Sequence, residues 1–461
     1  MPDDFLKLLT ESQRTLDEGF AHLPPNPTPP LGKAASNILQ QVAKRLQDNY
    51  PYAHPLYAGQ MLKPPHPIAR AAYALAMSIN PNNHALDGGR ASSAMEIEAV
   101  AALAKMFRLP KHLGHLTSGG TFANLEALWV AGQLSPNSDG TPKAIAASDQ
   151  AHYTHSRISG VLGLPFISIP SDERGRMDLT VLEALLATQV IGTVVVTLGT
   201  TAIGSVDPLD QIVVLRKKYK FRIHVDAAYG GYFILASNLS SETRAAFDAI
   251  PHAESIVIDP HKHGLQPYGC GCVLFRDPAV GRLYKHDSPY TYFSSNDLHL
   301  GEISLECSRA GASAVALWAT QQLLPYTPGG AFAQGLESGH TAALKLHQRL
   351  SESPHFLVPA FPPQLDILFW AVRAPTPEAS SALAQRIFDE AAKRDLHLAL
   401  ARLPVRLFPQ NSWQNLSQTD PESTVTCLRS VLMKPEHLLW LDHLSQRLDA
   451  AAVAVVGSIP R

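Results

Sequence analysis

At 461 residues, with 45% apolar and 17% charged side chains, the chain is long enough for two or three structural units around large cores. Its net charge of −2 gives no footing for a nucleic-acid or membrane partner. No apolar run reaches the length that spans a bilayer, and four cysteines in so long a chain point to a reducing, cytoplasmic setting rather than a disulfide framework.

In chain order, the start, "MPDDFLKLLTESQRTLDEGF", is acidic and amphipathic and lacks the pattern of a signal peptide. It reads as a helix. A Pro-rich connector, "LPPNPTPPLGK", leads to a second helix ending near Tyr50. This arm cannot form a core of its own and needs another surface, such as a second subunit. Helical patterns follow at Ile68 to Ser78 and at Ala94 to Phe107, the latter with Glu96 and Glu98 in its first turns. From about 115 to 275 the pattern changes. Short apolar or β-branched runs appear at 144–147, 166–169, 193–197, 222–225, 256–258 and 272–275, with helical stretches between several of them, such as 179–190 and 209–219. This alternation predicts a mostly parallel sheet covered by helices on both faces. A long helical stretch is expected after about residue 310. A smaller α/β unit follows, with strands in "LDILFWAVR", "LHLALARLPV" and "STVTCLRSVLM", a helix in "EASSALAQRIFDEAAKRD" and a last helix.

In such sheets ligands sit at the carboxyl ends of strands, and the chemistry-bearing residues fall there. In "TSGGTFAN", Gly119, Gly120 and Thr121 open a helix with Phe122, Leu125 and Leu128 on its apolar side. Open N–H groups and the helix dipole make a phosphate seat there, although Gly-Gly also serves plain turns. Asp226 ends the strand in "HVDAAYGGY"; it is either a cap or ion-pair partner, or a carboxylate for a ring nitrogen. His152, in "SDQAHYTHSR", is either a structural histidine or a flat ring lying on a planar cofactor. His155 beside it makes only a thin metal pair, and Cys270 with Cys272 lacks further ligands, so no metal is expected. Thr200 or Thr201 either donates to a planar ligand or caps a turn. Lys262, between His261 and His263 in "DPHKHG", follows the strand 255–258. A lysine, an acidic partner and an anion seat at one sheet edge are the set that pyridoxal phosphate needs. No GxGxxG joins a strand to a helix, so dinucleotide binding fits worse.

With these motifs together, the sequence resembles the group II pyridoxal-phosphate-dependent amino acid decarboxylases, which include glutamate, aromatic amino acid, tyrosine and diaminobutyrate decarboxylases. The resemblance runs from about residue 50 to 445. It rests on "HPLYAGQMLKPPHP", "TSGGTFAN", "SDQAH", "GTTAIGSVDP", "HVDAAYGG", "DPHKHGLQPYGCG" and "LECSRAG", in the family's order. It implies pyridoxal-enzyme fold type I, with an N-terminal helical arm (1–65), a large seven-stranded cofactor domain (66–325) and a linking helix with a small C-terminal domain (326–461). It implies a homodimer with active sites at the interface and an L-amino acid substrate that loses carbon dioxide. Lys262 would form the Schiff base, Asp226 would bind the pyridine nitrogen, His152 would stack on the ring and Ala228 would pack beneath it. Gly119, Gly120, Thr121 and His261 would hold the phosphate, with Ser308 reaching it from the other subunit. Thr201, or Thr200, would contact the cofactor's oxygen side. The chain departs from the family where animal enzymes carry a long loop with a proton-donating tyrosine. Here the segment after "DSPYTYF" is only "SSNDLHLGEIS", which leaves Tyr290, Tyr292 or His299 as donors. Another reaction on the same fold (carbon–carbon lyase, transaminase or decarboxylation-coupled oxidation) is the alternative reading; a cofactor-free binding protein fits poorly with Lys262, Asp226 and His152 all present.

Overall fold

The computed structural model describes the chain except residues 1, 26–28, 85–86, 286–302, 410–411, 414–422 and 458–461. Four helices come first: α1 (Pro2–Glu18), α2 (Gly32–Leu46), α3 (Pro67–Met77) and α4 (Arg90–Met106). The large α/β layer follows as β1 (Leu113–Thr117), α5 (Gly120–Leu134), β2 (Ala144–Ser148), α6 (Thr154–Val161), β3 (Phe166–Ile169), α7 (Leu179–Ala187), β4 (Ile191–Thr197), α8 (Leu209–Lys218), β5 (Arg222–Asp226), α9 (Ser241–Asp248), β6 (Ser255–Ile258) and β7 (Gly271–Phe275). The seven strands form one sheet in the order β1-β7-β6-β5-β4-β2-β3. Strands β6, β5, β4, β2 and β3 pair parallel, and β7 runs antiparallel to both β6 and β1. The α/β class with a mostly parallel sheet is therefore as expected. All seven residues of the interior strand β4 are buried, which is what cover on both faces requires.

The helix α10 (Gly311–Leu323) packs into the core of the large layer through Ala314 and Leu317. The second unit holds α11 (Ala331–Glu352), β8 (Phe356–Leu357), β9 (Ile367–Val372), α12 (Pro377–Ala392), β10 (Ala399–Pro404), β11 (Thr424–Val431) and α13 (Leu441–Val456). Its sheet, β10-β11-β9-β8, is antiparallel throughout. Trp370, Leu396, Leu428 and Leu444 pack in one core with Leu56 and Ala58 from the segment after the arm. That segment is tied down by backbone hydrogen bonds from Ala58 N–H to the His397 carbonyl and from Val431 N–H to the Ala58 carbonyl (2.9 and 2.8 Å).

Three expectations need correction. The strand β1 was not apparent from the pattern of apolar runs. The long helical stretch after residue 310 is two helices, α10 and α11, because Pro325 and Pro328 cannot continue a helix and Gly329 turns the chain at φ +74°. Helix α5 has no single apolar side: Asn124 and Glu126 are as buried as Leu128, while Phe122 and Leu125 are only half-buried. Among the described residues no helix is long and apolar enough to cross a membrane.

Candidate active site

Strands β2, β4, β5 and β6 all end on one edge of the large sheet, and β1 ends there too because two antiparallel steps restore its direction. A cavity of about 480 Å³ lies on that edge. Gly119, Gly120, Thr121, His152, Thr201, Asp226, Ala228, His261 and Lys262 line it together. Of the residues singled out from the sequence for cofactor contact, Ser308 stands apart. It is exposed, and its Oγ accepts a hydrogen bond from Asn82 (3.2 Å). Tyr290, Tyr292 and His299 lie outside the described residues.

The three residues of the His-Lys-His stretch go separate ways. His261 donates Nδ1–H to the Cys270 carbonyl (2.8 Å) and lies beside the ring of Tyr268. Lys262 Nζ meets Asp259 Oδ2 at 2.9 Å. His263 is fully buried against Asp366 (3.3 Å), whose other oxygen accepts from the Tyr229 hydroxyl (2.5 Å). Burial would lower the Lys262 pKa, but Asp259 against its ammonium and Asp226 beyond it hold it above the usual lysine value. Burial lowers the His261 pKa. With Nδ1–H committed to a carbonyl, His261 can donate to an anion through Nε2 only as the imidazolium.

Asp226 ends β5 and is 5% exposed. Its Oδ2 takes hydrogen bonds from His155 Nε2 (2.8 Å) and Asn124 Nδ2 (3.4 Å), and its Oδ1 takes one from Ala228 N–H (3.1 Å). Burial pushes its pKa up, but the His155 hydrogen bond and the nearby cations outweigh that and hold it well below the carboxylate range. Its task is therefore that of an anion. His152 accepts from Thr154 N–H at Nδ1 (3.3 Å), which places its own proton on Nε2, and burial lowers its pKa. Gly119 sits at φ +155°, a conformation for glycine. A Cβ on Gly120 would come within 2.8 Å of Asp259 Oδ2, so the loop that starts α5 passes close to the lysine's partner. The N–H groups at that helix start have no carbonyl a turn earlier within the helix. Between the two threonines the geometry decides: Thr200 is fully buried and its hydroxyl accepts from Ser205 N–H (3.0 Å), a turn cap, whereas Thr201 lines the cavity.

The residues fit a phosphorylated pyridine aldehyde. The cavity offers an amine, an anionic acceptor and a glycine-lined helix start. It also carries two buried oxygens without a hydrogen-bond partner among the described residues, Asp259 Oδ1 and Thr197 Oγ1, which a polar ligand can engage. The sequence reading missed three residues. His155, read only as half of a metal pair, supports Asp226; Asn124 joins it from α5; Asp259 holds Lys262. The last had a local signal, an acid three positions before the lysine in a turn. The first two reach across 71 and 102 residues. Among the described residues no group of three His, Cys, Asp or Glu side chains could hold a metal.

The model of the pyridoxal-dependent decarboxylase conserved domain matches residues 32–372. Relatives include an L-tyrosine decarboxylase of Enterococcus faecium, 27% identical, with 86% of this chain and 85% of that protein covered. A probable L-tyrosine/L-aspartate decarboxylase of Methanocella arvoryzae is 30% identical (64% and 74%), and an L-2,4-diaminobutyrate decarboxylase of Rhizobium meliloti 28% (78% and 73%). Among solved structures, Oryza sativa TDC with PLP and tryptamine superposes with a TM-score of 0.78 at 17% identity, covering 98% of this chain and 96% of that one. Mouse CSAD gives 0.77 at 20%, covering 98% and 92%.

Proposed function

The chain belongs to the pyridoxal-dependent decarboxylase family and is a pyridoxal-phosphate-dependent amino acid decarboxylase, and from that premise we propose that the cavity at the strand ends is its active site. The observation that carries this reading is convergence: Lys262, Asp226, His152 and the Gly119–Thr121 loop come from four separate segments and line one cavity.

When bound, pyridoxal phosphate supplies a protonated heteroaromatic ring able to take up the electron pair left behind as carbon dioxide departs. The protein does the rest. Lys262 would supply the amine that anchors the cofactor's aldehyde. Asp226, held as an anion, keeps the proton on the ring nitrogen. His152 and Ala228, which line the same cavity, would pack against the ring. Gly119, Gly120 and Thr121 would present the start of α5 to the phosphate, whose charge would favour the imidazolium that His261 needs to donate through Nε2. Thr201 serves the cofactor's oxygen side. Dimerisation is supported by α2, which has no buried residue and exposes Ile38, Leu39 and Leu46, each more than half. The partner's copy of the 303–309 segment would then bring Ser308 to the phosphate. A cytoplasmic setting is supported by four free cysteines.

The test is a panel of L-amino acids with both carbon dioxide and amine measured. Amine and carbon dioxide in equal amounts are expected from at least one substrate, and Lys262→Ala should lose turnover together with the visible absorbance of bound cofactor. Full turnover by that variant, or aldehyde or keto acid as the main product, would overturn the reading.

A further inference from the structure

Asp226 is surrounded by more machinery than a ring-nitrogen partner needs for folding. His155 is completely buried near the start of α6, and its Nε2 makes the shortest hydrogen bond to the carboxylate. Its Nδ1 is buried with no hydrogen-bond partner among the described residues. An unsatisfied buried nitrogen is destabilising by itself, so a side chain kept only for packing would be better as a hydrocarbon. What the imidazole gains here is its bond to Asp226.

A second chain of contacts backs this up. Asn124 Oδ1 accepts from His224 Nε2 (2.7 Å), and His224 Nδ1 meets the Ser255 hydroxyl (2.8 Å). The Asp226 carboxylate only accepts, so the Asn124 amide turns Nδ2 toward it and Oδ1 toward His224, but at 3.4 Å the bond to Asp226 is long. Burial pushes the His224 pKa down to about 3, so it is neutral, and its single proton, facing the Asn124 oxygen, belongs on Nε2. Ala228 N–H engages the other oxygen. The carboxylate still has acceptor capacity for one more donor, and it lines the cavity.

We propose that His155 is a positioning residue for the decarboxylation: its Nε2–H pins Asp226 Oδ2 and so leaves the carboxylate available, in a fixed orientation, to the ring nitrogen of the cofactor. This rests on the reading of Asp226 given above. Without His155 the carboxylate keeps one long and one backbone hydrogen bond, can rotate, and competes better for the proton that belongs on the ring.

The experiment uses whole enzyme reconstituted with pyridoxal phosphate labelled with nitrogen-15 in the ring, whose resonance reports ring protonation directly. In wild type and His155→Gln, which retains an N–H donor, the ring should be protonated. In His155→Leu and His155→Phe an unprotonated population should appear. Their kcat should fall about 10- to 100-fold, the loss of a hydrogen bond to a charged group, with KM changed much less. His155→Phe keeps a buried ring of similar size and gives the answer if His155→Leu does not fold. A folded, cofactor-bound Leu or Phe variant with a fully protonated ring and wild-type kcat would overturn the proposal. Asp226→Asn separates the two levels. If it loses ring protonation while the His155 variants keep it, only the His155 proposal fails; if it keeps ring protonation, the reading of Asp226 fails with it.

Discussion

Asp259, 2.9 Å away, holds the proton on Lys262 more firmly than an ordinary lysine holds its own. This has a kinetic consequence, since only the neutral amine attacks an aldehyde. The Lys262 pKa is raised, so the neutral fraction is small at pH 7 and grows as pH rises toward that pKa. Cofactor capture by the unloaded enzyme should therefore accelerate with pH across the neutral and mildly alkaline range, without a plateau there. Asp259→Asn removes the charge that raises the pKa. The rise should move to lower pH, and capture at pH 7.5 should quicken by about tenfold for each unit of displacement. Stopped-flow growth of the bound-cofactor absorbance measures it. Repeating it with pyridoxal, which has no phosphate, removes any repulsion between Asp259 and phosphate. Coincident pH profiles for wild type and variant with pyridoxal would show that Asp259 does not govern this lysine.

The strand β1 shows how an element supports the site and why the sequence concealed it. Its "LGHLT" breaks the apolar run with Gly114 and His115. Both have tertiary reasons. A Cβ on Gly114 would meet the Val273 carbonyl at 2.7 Å across the β1–β7 pairing, and His115 is buried against Glu126 of α5 (2.9 Å). A polar residue satisfied by a distant helix looks, in one dimension, like the end of a strand. The run 193–197 within β4 and the run 256–258 within β6 have no such interruption and were legible, as were the strand-end positions of Asp226 and Lys262. The residues behind them were not, because His155 and Asn124 act through space. The break between α10 and α11 was written in its prolines but obscured by the apolar sequence on both sides. At the same corner, Gly271 of β7 faces Thr117, and a Cβ there would lie 2.6 Å from the backbone of Gly119. Backbone cannot swing aside as a side chain can. Gly271→Ala is expected to lower stability by about 1–3 kcal/mol, as overpacking does, and to weaken cofactor retention by displacing the phosphate loop. Urea unfolding and the cofactor Kd check both; an unchanged midpoint with an unchanged Kd would mean the loop gives way freely.

At the scale of the whole molecule, the helix α2 is the part that a single chain does not explain. It has 15 residues, none of them buried, and Ile38, Leu39, Val42 and Leu46 are all exposed. A helix of that length without packing is marginal in water, and its apolar stripe is the kind that a second copy covers. The 303–309 segment is anchored by Arg309 to Glu96 (2.6 Å), and Glu306 accepts from Ser118 N–H (3.0 Å) beside the Gly119–Thr121 loop. Ser308, between those anchors, is left exposed. Held on both sides yet facing out, Ser308 would, in the proposed dimer, serve the neighbour's cavity; otherwise it serves its own cavity or none. Mixing two inactive variants distinguishes these. Lys262→Ala lacks the amine, and Ser308→Trp blocks the phosphate seat; each should be inactive alone. If Ser308 acts across the interface, a mixed dimer holds one site with both defects and one site with neither. Equal amounts pairing at random make about half the dimers mixed, so about a quarter of wild-type activity should return. Labelled subunits show by mass spectrometry that mixed dimers formed. Mixed dimers without recovered activity would confine both defects to the same subunit's site, and Ser308 would then belong to its own chain's cavity or to no site at all.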